Sequence, residues 1–321
     1  MYIMVFLKDE LCAVLPLVDT GKAWVSLPHF SYGGFILKEG KSVINNAKVL
    51  DDIMSACADV EPGFYRYDFD SEQRQVISKS KNIFIRSIVN IGIAGSQISE
   101  KATSIIELPN TNEELWSTLS PNLRRKINKS KQSKFIIKTG KSELLDDFYK
   151  VYTNNIKQLK SLNYSKKFFS DIVDNWVGDW STEKMSKDIF FVAYSNEKPV
   201  AAAMLLSYQG FNENVFFSTL SKYRKEYISD LLHWEMITYC IGQKKDIELN
   251  NSRKSIYSFG RSTIDSGVYT YKNHWPVTNY PLYIHSNYSD IRKKGWLLDV
   301  WGKLPSFITK PLGAKLIKHI Y

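Results

Sequence analysis

The residues best equipped for chemistry fall in one short block. Phe259-Gly260-Arg261-Ser262 is followed by Asp265 and by Ser266-Gly267-Val268-Tyr269-Thr270-Tyr271-Lys272-Asn273-His274-Trp275. Lys272, between Tyr271 and Trp275, can neutralise an oxyanion or a phosphate, or be a solvated strand lysine. Arg261, with Ser262 at a strand end, can clamp a phosphate with its planar fork, or bind the sheet edge or an internal carboxylate. Asp265 can serve as a general base, or only shape the turn Asp265-Ser266-Gly267. Tyr271 can stack on a base or sugar, or belong to the core. A second candidate is Tyr32-Gly33-Gly34, where glycine permits a bulge or close approach of backbone to a ligand.

Other chemistries find no equipment. The five histidines have no metal-ligand spacing, and neither HExxH nor GxSxG occurs. No metal is expected. Cys12, Cys57 and Cys240 are far apart and odd in number, which fits small buried hydrophobes in a reducing compartment. No stretch approaches the ~20 apolar residues of a membrane span. The opening MYIMVFLKDE is too short in apolar residues for a signal peptide and reads as a strand. A cytoplasmic protein is the expectation.

Charge is unevenly placed. The chain of 321 residues carries a net +10. Residues 1–110 hold 11 basic and 13 acidic residues, so the excess lies in the remainder. Pro121 to Lys141 contains eight basic residues and no acid, and Ile291 to Tyr321 contains seven and one. A polyanion or an anionic membrane surface is a fitting partner class. Arg124, Lys131 and Lys138 recur every seven residues, which also fits a solvated helix face. The tail pairs Trp296, Leu297, Leu298, Val300 and Trp301 with Arg292, Lys293 and Lys294. That suits a helix on an anionic membrane surface, and equally a tail packed on the second domain.

The elements that must position these residues are partly readable. Length favours two domains. The first hundred residues read as short strands at 11–18, 23–27, 64–69, 83–89 and 103–108, with a helix over 41–58. Ser120-Pro121 can start a basic helix, with a strand at 135–138 after it. Helices follow at 142–159 and 166–180. Next come strands at 189–194, 200–208 and 214–219, the first two joined at Asn196-Glu197-Lys198-Pro199. A helix capped by Asp230 runs through Tyr239, and strands at 247–249, 255–259 and 280–284 close the domain. This order implies a mixed α/β fold with an antiparallel sheet centre. The expected domains are 1–125, 126–287 and a basic amphipathic tail, 288–321.

Several stretches resemble one family. Ser26-Leu27-Pro28-His29-Phe30-Ser31-Tyr32-Gly33-Gly34 resembles the LPxxxYGG segment of FemAB-like proteins, and Leu119 to Ile127 their basic interdomain helix. Ser229 to Glu235 is similar to their N/D-LL-x-W-E helix start, and Phe259 to Trp275 to FGRS…SGxYxFKxxW. Trp301-Gly302-Lys303-Leu304-Pro305 with Leu312-Gly313 resembles the ending of members tied to exopolysaccharide export. The resemblance implies tandem GNAT-like domains, each a mixed, largely antiparallel sheet flanked by helices. It implies transfer of an acyl or aminoacyl group to an amine of a cell-wall or surface-polysaccharide precursor, a nucleotide- or lipid-linked sugar. Lys272 and Asp265 would then be catalytic. Tyr32, Gly33, Gly34, Arg261, Ser262 and Tyr271 would bind substrate, with Tyr32–Gly34 bordering the acceptor channel. Arg124, Arg125 and Lys126 would hold the donor. One departure concerns that donor. GNAT acetyltransferases hold the pyrophosphate of coenzyme A on a glycine-rich turn at a helix N-terminus, whereas Lys222 to Asp230 here contains no glycine. Aminoacyl-tRNA is therefore the favoured co-substrate and acyl-CoA the alternative, with no tightly bound cofactor. The site would lie in the cytoplasm or at the inner membrane face. The alternative function is a non-catalytic RNA- or membrane-binding protein of a glycan-assembly complex.

Overall fold

The computed structural model describes residues 2–7, 9–20, 23–28, 30–38, 64–68, 82–87, 97–175, 189–208, 210–248, 255–286, 301 and 304–317. Contacts divide the chain into two compact units: Met1–Ala102 with Tyr280–Lys293 and Lys318–Tyr321, and Thr103–Asn279 with Lys294–Ile317. The whole basic helix thus belongs to the second unit, and the division falls ahead of the expected boundary at 125/126.

In the first unit, β1 (Tyr2–Leu7) and β2 (Glu10–Pro16) form an antiparallel hairpin. Asp9 at its turn has φ 62. The short strands β3 (Val18–Asp19) and β4 (Ala23–Val25) pair with each other, and β5 (Ile36–Leu37) pairs with β2. β6 (Phe64–Asp68) runs parallel to β1, and β7 (Asn82–Ser87) parallel to β4. The helix expected over 41–58 lies outside the described residues.

The second unit begins with β8 (Gln97–Glu107), most of which lies in it. Two helices follow, α1 (Asn112–Thr118) and α2 (Pro121–Gln132). Ser120 caps α2, its Oγ accepting from Leu123 N at 3.2 Å, and Pro121 occupies the first position. Leu123, Ile127 and Ser130 are buried at helical spacing, which leaves the basic side chains on the other face. Burying Leu123 and Ile127 stabilises by about 1.5–3 kcal/mol each. Then come β9 (Ile136–Gly140), α3 (Leu145–Gln158), α4 (Lys166–Asn175), β10 (Phe190–Ser195), β11 (Lys198–Tyr208) and β12 (Phe211–Thr219). The hairpin β10–β11 turns at Asn196 and Glu197, with φ 47 and 62. Helix α5 (Ile228–Glu248) follows, then β13 (Ile256–Thr263), α6 (Gly267–Lys272) and α7 (Ser306–Leu316), while the intervening β14 (Thr278–Ser286) belongs to the first unit from Tyr280 on.

Strands run in the order β8-β13-β12-β11-β10-β9 in this unit. All pairings from β9 to β12 are antiparallel, while β12–β13 is parallel. Phe190 to Ala193 and Val200 to Leu205 are buried throughout, as central strands covered on both faces must be. The core joins these strands to α1, α2 and α5. β14 pairs antiparallel with β7 in the first unit. The strand expected at 247–249 is corrected. Residues 247 and 248 end α5, in which Lys244, one turn earlier, donates to Leu108 O at 2.8 Å and Asn110 Oδ1 at 2.9 Å.

Trp301 and residues 304–317 pack within the second unit. Trp301 Nε1 donates to Ser161 O at 3.1 Å, and Asn163 Nδ2 donates to Lys310 O at 3.1 Å. Residues 287–300, which carry most of the expected amphipathic segment, lie outside the described residues.

Candidate active site

The site begins where two strands part. β12 and β13 pair over Phe211↔Ile256, Asn212↔Tyr257 and Glu213↔Ser258, and no further, although both strands continue. Beyond that point side chains fill the gap. His233, on α5, is the centre of the filling. Its ring stacks on Phe217 at 4.1 Å and tilts against Phe259 at 4.6 Å. Its Nδ1 shares a hydrogen bond of 2.9 Å with the Tyr257 hydroxyl. Tyr271 and Trp275 approach it at 5.8 and 6.0 Å between centroids. Burial, with the Lys272 charge nearby, holds His233 well below the ordinary imidazole range.

Lys272 is the last residue of α6, a short helix capped by Ser266, whose Oγ accepts from Tyr269 N at 3.2 Å. It is not a solvated strand lysine, being 5% exposed. Its Nζ donates to Gly260 O at 2.7 Å and to Arg261 O at 3.1 Å. Successive carbonyls of a regular strand face opposite ways. Gly260 has φ 68, which breaks the alternation and turns both carbonyls toward the lysine. Burial pushes the Lys272 ammonium down to about 7; Glu213 opposes this and Arg261 adds to it.

Around this lysine several polar atoms are buried without a hydrogen-bond partner: Arg261 Nη1, Ser262 Oγ, the Tyr271 hydroxyl, Trp275 Nε1 and Asp230 Oδ1. Native interiors leave few such groups, and each calls for a ligand or a water. Asp230 is the third residue of α5 and is 4% exposed. Burial raises its carboxyl to about 6, against the pull of Lys126. Tyr271 lies beside it, and burial together with that carboxylate pushes the phenol well up.

The structure thus brings together Lys272, Arg261, Ser262 and Tyr271. Asp265 stays outside, exposed on a left-handed turn at φ 62. Two buried carboxylates stand near the lysine: Glu213, which acts on Lys272, and Asp230, which sequence reading treats as a helix cap. Helix α5 starts at Ile228, so Asp230 lies inside its first turn, and Tyr227, with φ 58, ends the short helix before it. An acid in a helix's first turn suits the dipole, so its second character carries no local signal.

Arg124, Arg125 and Lys126 lie on α2. Arg125, Lys126 and Lys129 crowd the Tyr227 ring at 5.8, 5.9 and 5.5 Å. No carboxylate pairs with any of these four cations among the described residues. Lys126 also acts on His274, lowering it further after burial has done so, so α2 and the cluster share a field. The stretch without glycine is a single-turn helix, Ser221–Glu226. Arg224 turns inward from it, its Nη2 donating to Asn155 Oδ1 at 3.0 Å and Thr219 O at 3.3 Å.

Tyr32, Gly33 and Gly34 belong to the first unit. A Cβ at Gly33 would meet Ser26 O at 2.4 Å. Gly34 has φ 116 and donates its N–H to Ser26 Oγ at 2.8 Å. These glycines close a loop onto Ser26. Among the described residues no group of three His, Cys, Asp or Glu gathers as a metal site would, and no helix is long and apolar enough to cross a membrane.

No family model and no curated protein shows significant similarity to the chain. Solved structures do. FemX matches with TM-score 0.52 at 10% identity, over 86% of this chain and 85% of that one. The C-terminal DUF2156 domain of a protein assigned as a lysylphosphatidylglycerol synthetase, from Agrobacterium fabrum, matches with TM-score 0.50 at 8% identity, over 86% and 81%. The chain shares the fold of FemX. It is the mixed α/β fold that the order of elements implied.

Proposed function

We propose that this protein is an N-acyltransferase, moving an acyl or aminoacyl group from an activated ester or thioester to an amine. The observation that carries the reading is the parting of β12 and β13, with the buried Lys272, the half-buried Arg261, Trp275 Nε1 and the Tyr271 hydroxyl gathered there. Amine attack on a carbonyl builds negative charge on oxygen, and donors fixed in a water-poor site stabilise it. Lys272 is held in place by two carbonyls and keeps a third N–H for that oxygen.

An aminoacyl-tRNA donor fits better than acyl-CoA. The turn before α5 has no glycine, Arg224 faces inward, and the first turn of α5 carries the Asp230 carboxylate. An acid there disfavours a pyrophosphate, whereas Arg124, Arg125 and Lys126 offer uncompensated charge to a phosphate backbone. The synthetase whose domain shares the fold is named for a lysyl product, itself an aminoacyl transfer. The acceptor we propose is an amino sugar of a surface-polysaccharide or cell-wall precursor, handled in the cytoplasm or at the inner membrane face. The test is the mass of the surface-polysaccharide repeat from cells with and without the gene. A difference of one amino-acid residue is expected. An acetyl difference would move the donor to a thioester, and identical spectra would overturn the glycan acceptor.

A further inference from the structure

We propose that Asp230 is the acceptor-amine site: its carboxylate receives the substrate's ammonium beside the Tyr271 ring and takes a proton from it. The inference rests on the transferase reading and adds a residue to it. Three observations carry it. The carboxylate is buried at the first turn of α5, where its Oδ1 makes no full hydrogen bond and the Tyr271 hydroxyl is its polar neighbour. A buried carboxylate without a cation is costly, and the missing partner is a hydrogen-bond donor, best a charged one. Its surroundings suit an ammonium: the Tyr271 hydroxyl can accept from it, and aromatic rings attract cations. The resident cation, Lys126 of α2, is near enough to be felt but makes no ion pair with it. It lies instead 5.9 Å from the Tyr227 ring.

The charged and titratable groups facing Asp230 are Lys126 from α2 and Tyr271 from α6. Tyr271 is held protonated by burial, which leaves Asp230 as the proton acceptor at neutral pH. The step balances simply. The ammonium gives one proton to Asp230, and the freed nitrogen pair forms the C–N bond. The donor's C–O or C–S bond breaks. The second proton lost from nitrogen goes to the leaving oxygen or sulfur, and Asp230 returns its proton to solvent.

The test is calorimetric binding of glucosamine to the full chain, with N-acetylglucosamine as the control lacking an ammonium. Wild type is expected to bind glucosamine at least tenfold tighter than the control at pH 7. That preference should disappear at pH 5, where the carboxyl is protonated. D230N keeps the shape and should lose the preference at pH 7, with its melting temperature measured to show that it is folded. K126M should keep the preference at pH 7 but lose it at a higher pH than wild type, because the cation that holds the carboxyl down is gone. A D230N protein that discriminates as wild type does overturns the proposal, as does a wild type with no preference. Glycan modification that persists in D230N cells also overturns Asp230 and leaves the transferase reading intact. Amine binding that depends on Asp230 in a protein without transfer removes that reading and keeps the site.

Discussion

Lys272 shows what a single residue has to do in this site. Its position is legible in the sequence, between two aromatics in the block richest in chemistry. Its burial is not, because a lysine between aromatics reads as a strand residue with one face in water. Removing it leaves two strand carbonyls without a donor, and each buried orphan costs about 1–3 kcal/mol. K272M is thus expected to melt earlier, by about 2–5 kcal/mol in chemical denaturation. Its transfer activity should fall at least a hundredfold even well below its melting temperature. Activity retained within threefold would remove Lys272 from the chemistry. The lysine also carries a pH signature. Its folded value of about 7 lies below the ordinary lysine value of 10.5, so the unfolded chain binds the extra proton between them. Stability contributed by this group therefore rises with pH above 7. Between pH 7 and 9 the gain is about 2–3 kcal/mol at ~1.4 kcal/mol per unit, and K272M should lack it. Denaturation curves of the two proteins that stay parallel over that range would contradict the burial.

At the scale of elements, the site depends on how two short pieces are held. Helix α6 has only six residues, and Ser266 anchors its start. Replacing Ser266 by Ala should cost about 1 kcal/mol. It should also lower turnover, because Lys272 and Tyr271 ride on the last turn of the same helix. A variant with unchanged kcat would mean that packing of Trp275 alone fixes them. In the first unit, Gly33 has backbone within 2.4 Å of where a Cβ would sit. Gly33→Ala should destabilise by about 1–3 kcal/mol through overpacking, and a neutral melt would mean that the loop yields. What the sequence discloses about elements follows the same physics. Ser120-Pro121 marks the start of α2, because capping and a fixed proline φ are local effects, whereas Ser142 caps nothing and α3 begins at Leu145. Helix α6 is hidden, since Val268, Tyr269, Thr270 and Tyr271 all favour strand and only packing makes them helical. The end of the short helix Ser221–Glu226 is hidden too: its C-cap Tyr227 adopts a left-handed conformation that composition assigns to glycine. The parting of β12 and β13 has no sequence signal at all, because it is a relation between two strands.

For the molecule as a whole, the question is where its positive charge acts. The net +10 is an average over a neutral-to-acidic first third and a basic remainder. On α2, Arg125, Lys126 and Lys129 stand near the Tyr227 ring with no ion pair among the described residues, and Lys126 reaches into the field of Asp230 and His274. On the proposed reading, that charged surface would meet a polyanionic donor. The consequence is measurable with bulk tRNA as probe. Binding should weaken steeply with salt, because each phosphate contact releases a counterion and contributes about 0.7–0.9 to the slope of log affinity against log salt. Replacing Arg124, Arg125 and Lys126 by Ala should lower that slope by about 2–3 and weaken binding at low salt by more than tenfold. Vesicles of anionic lipid provide the contrast. If α2 serves a nucleic-acid donor, the triple variant should sediment with vesicles as wild type does, since any lipid contact would come from the tail. An unchanged salt slope with tRNA, together with lost vesicle binding, would place the membrane rather than the donor on α2. The position of Lys126 between Tyr227 and Asp230 would then act on a lipid-borne acceptor.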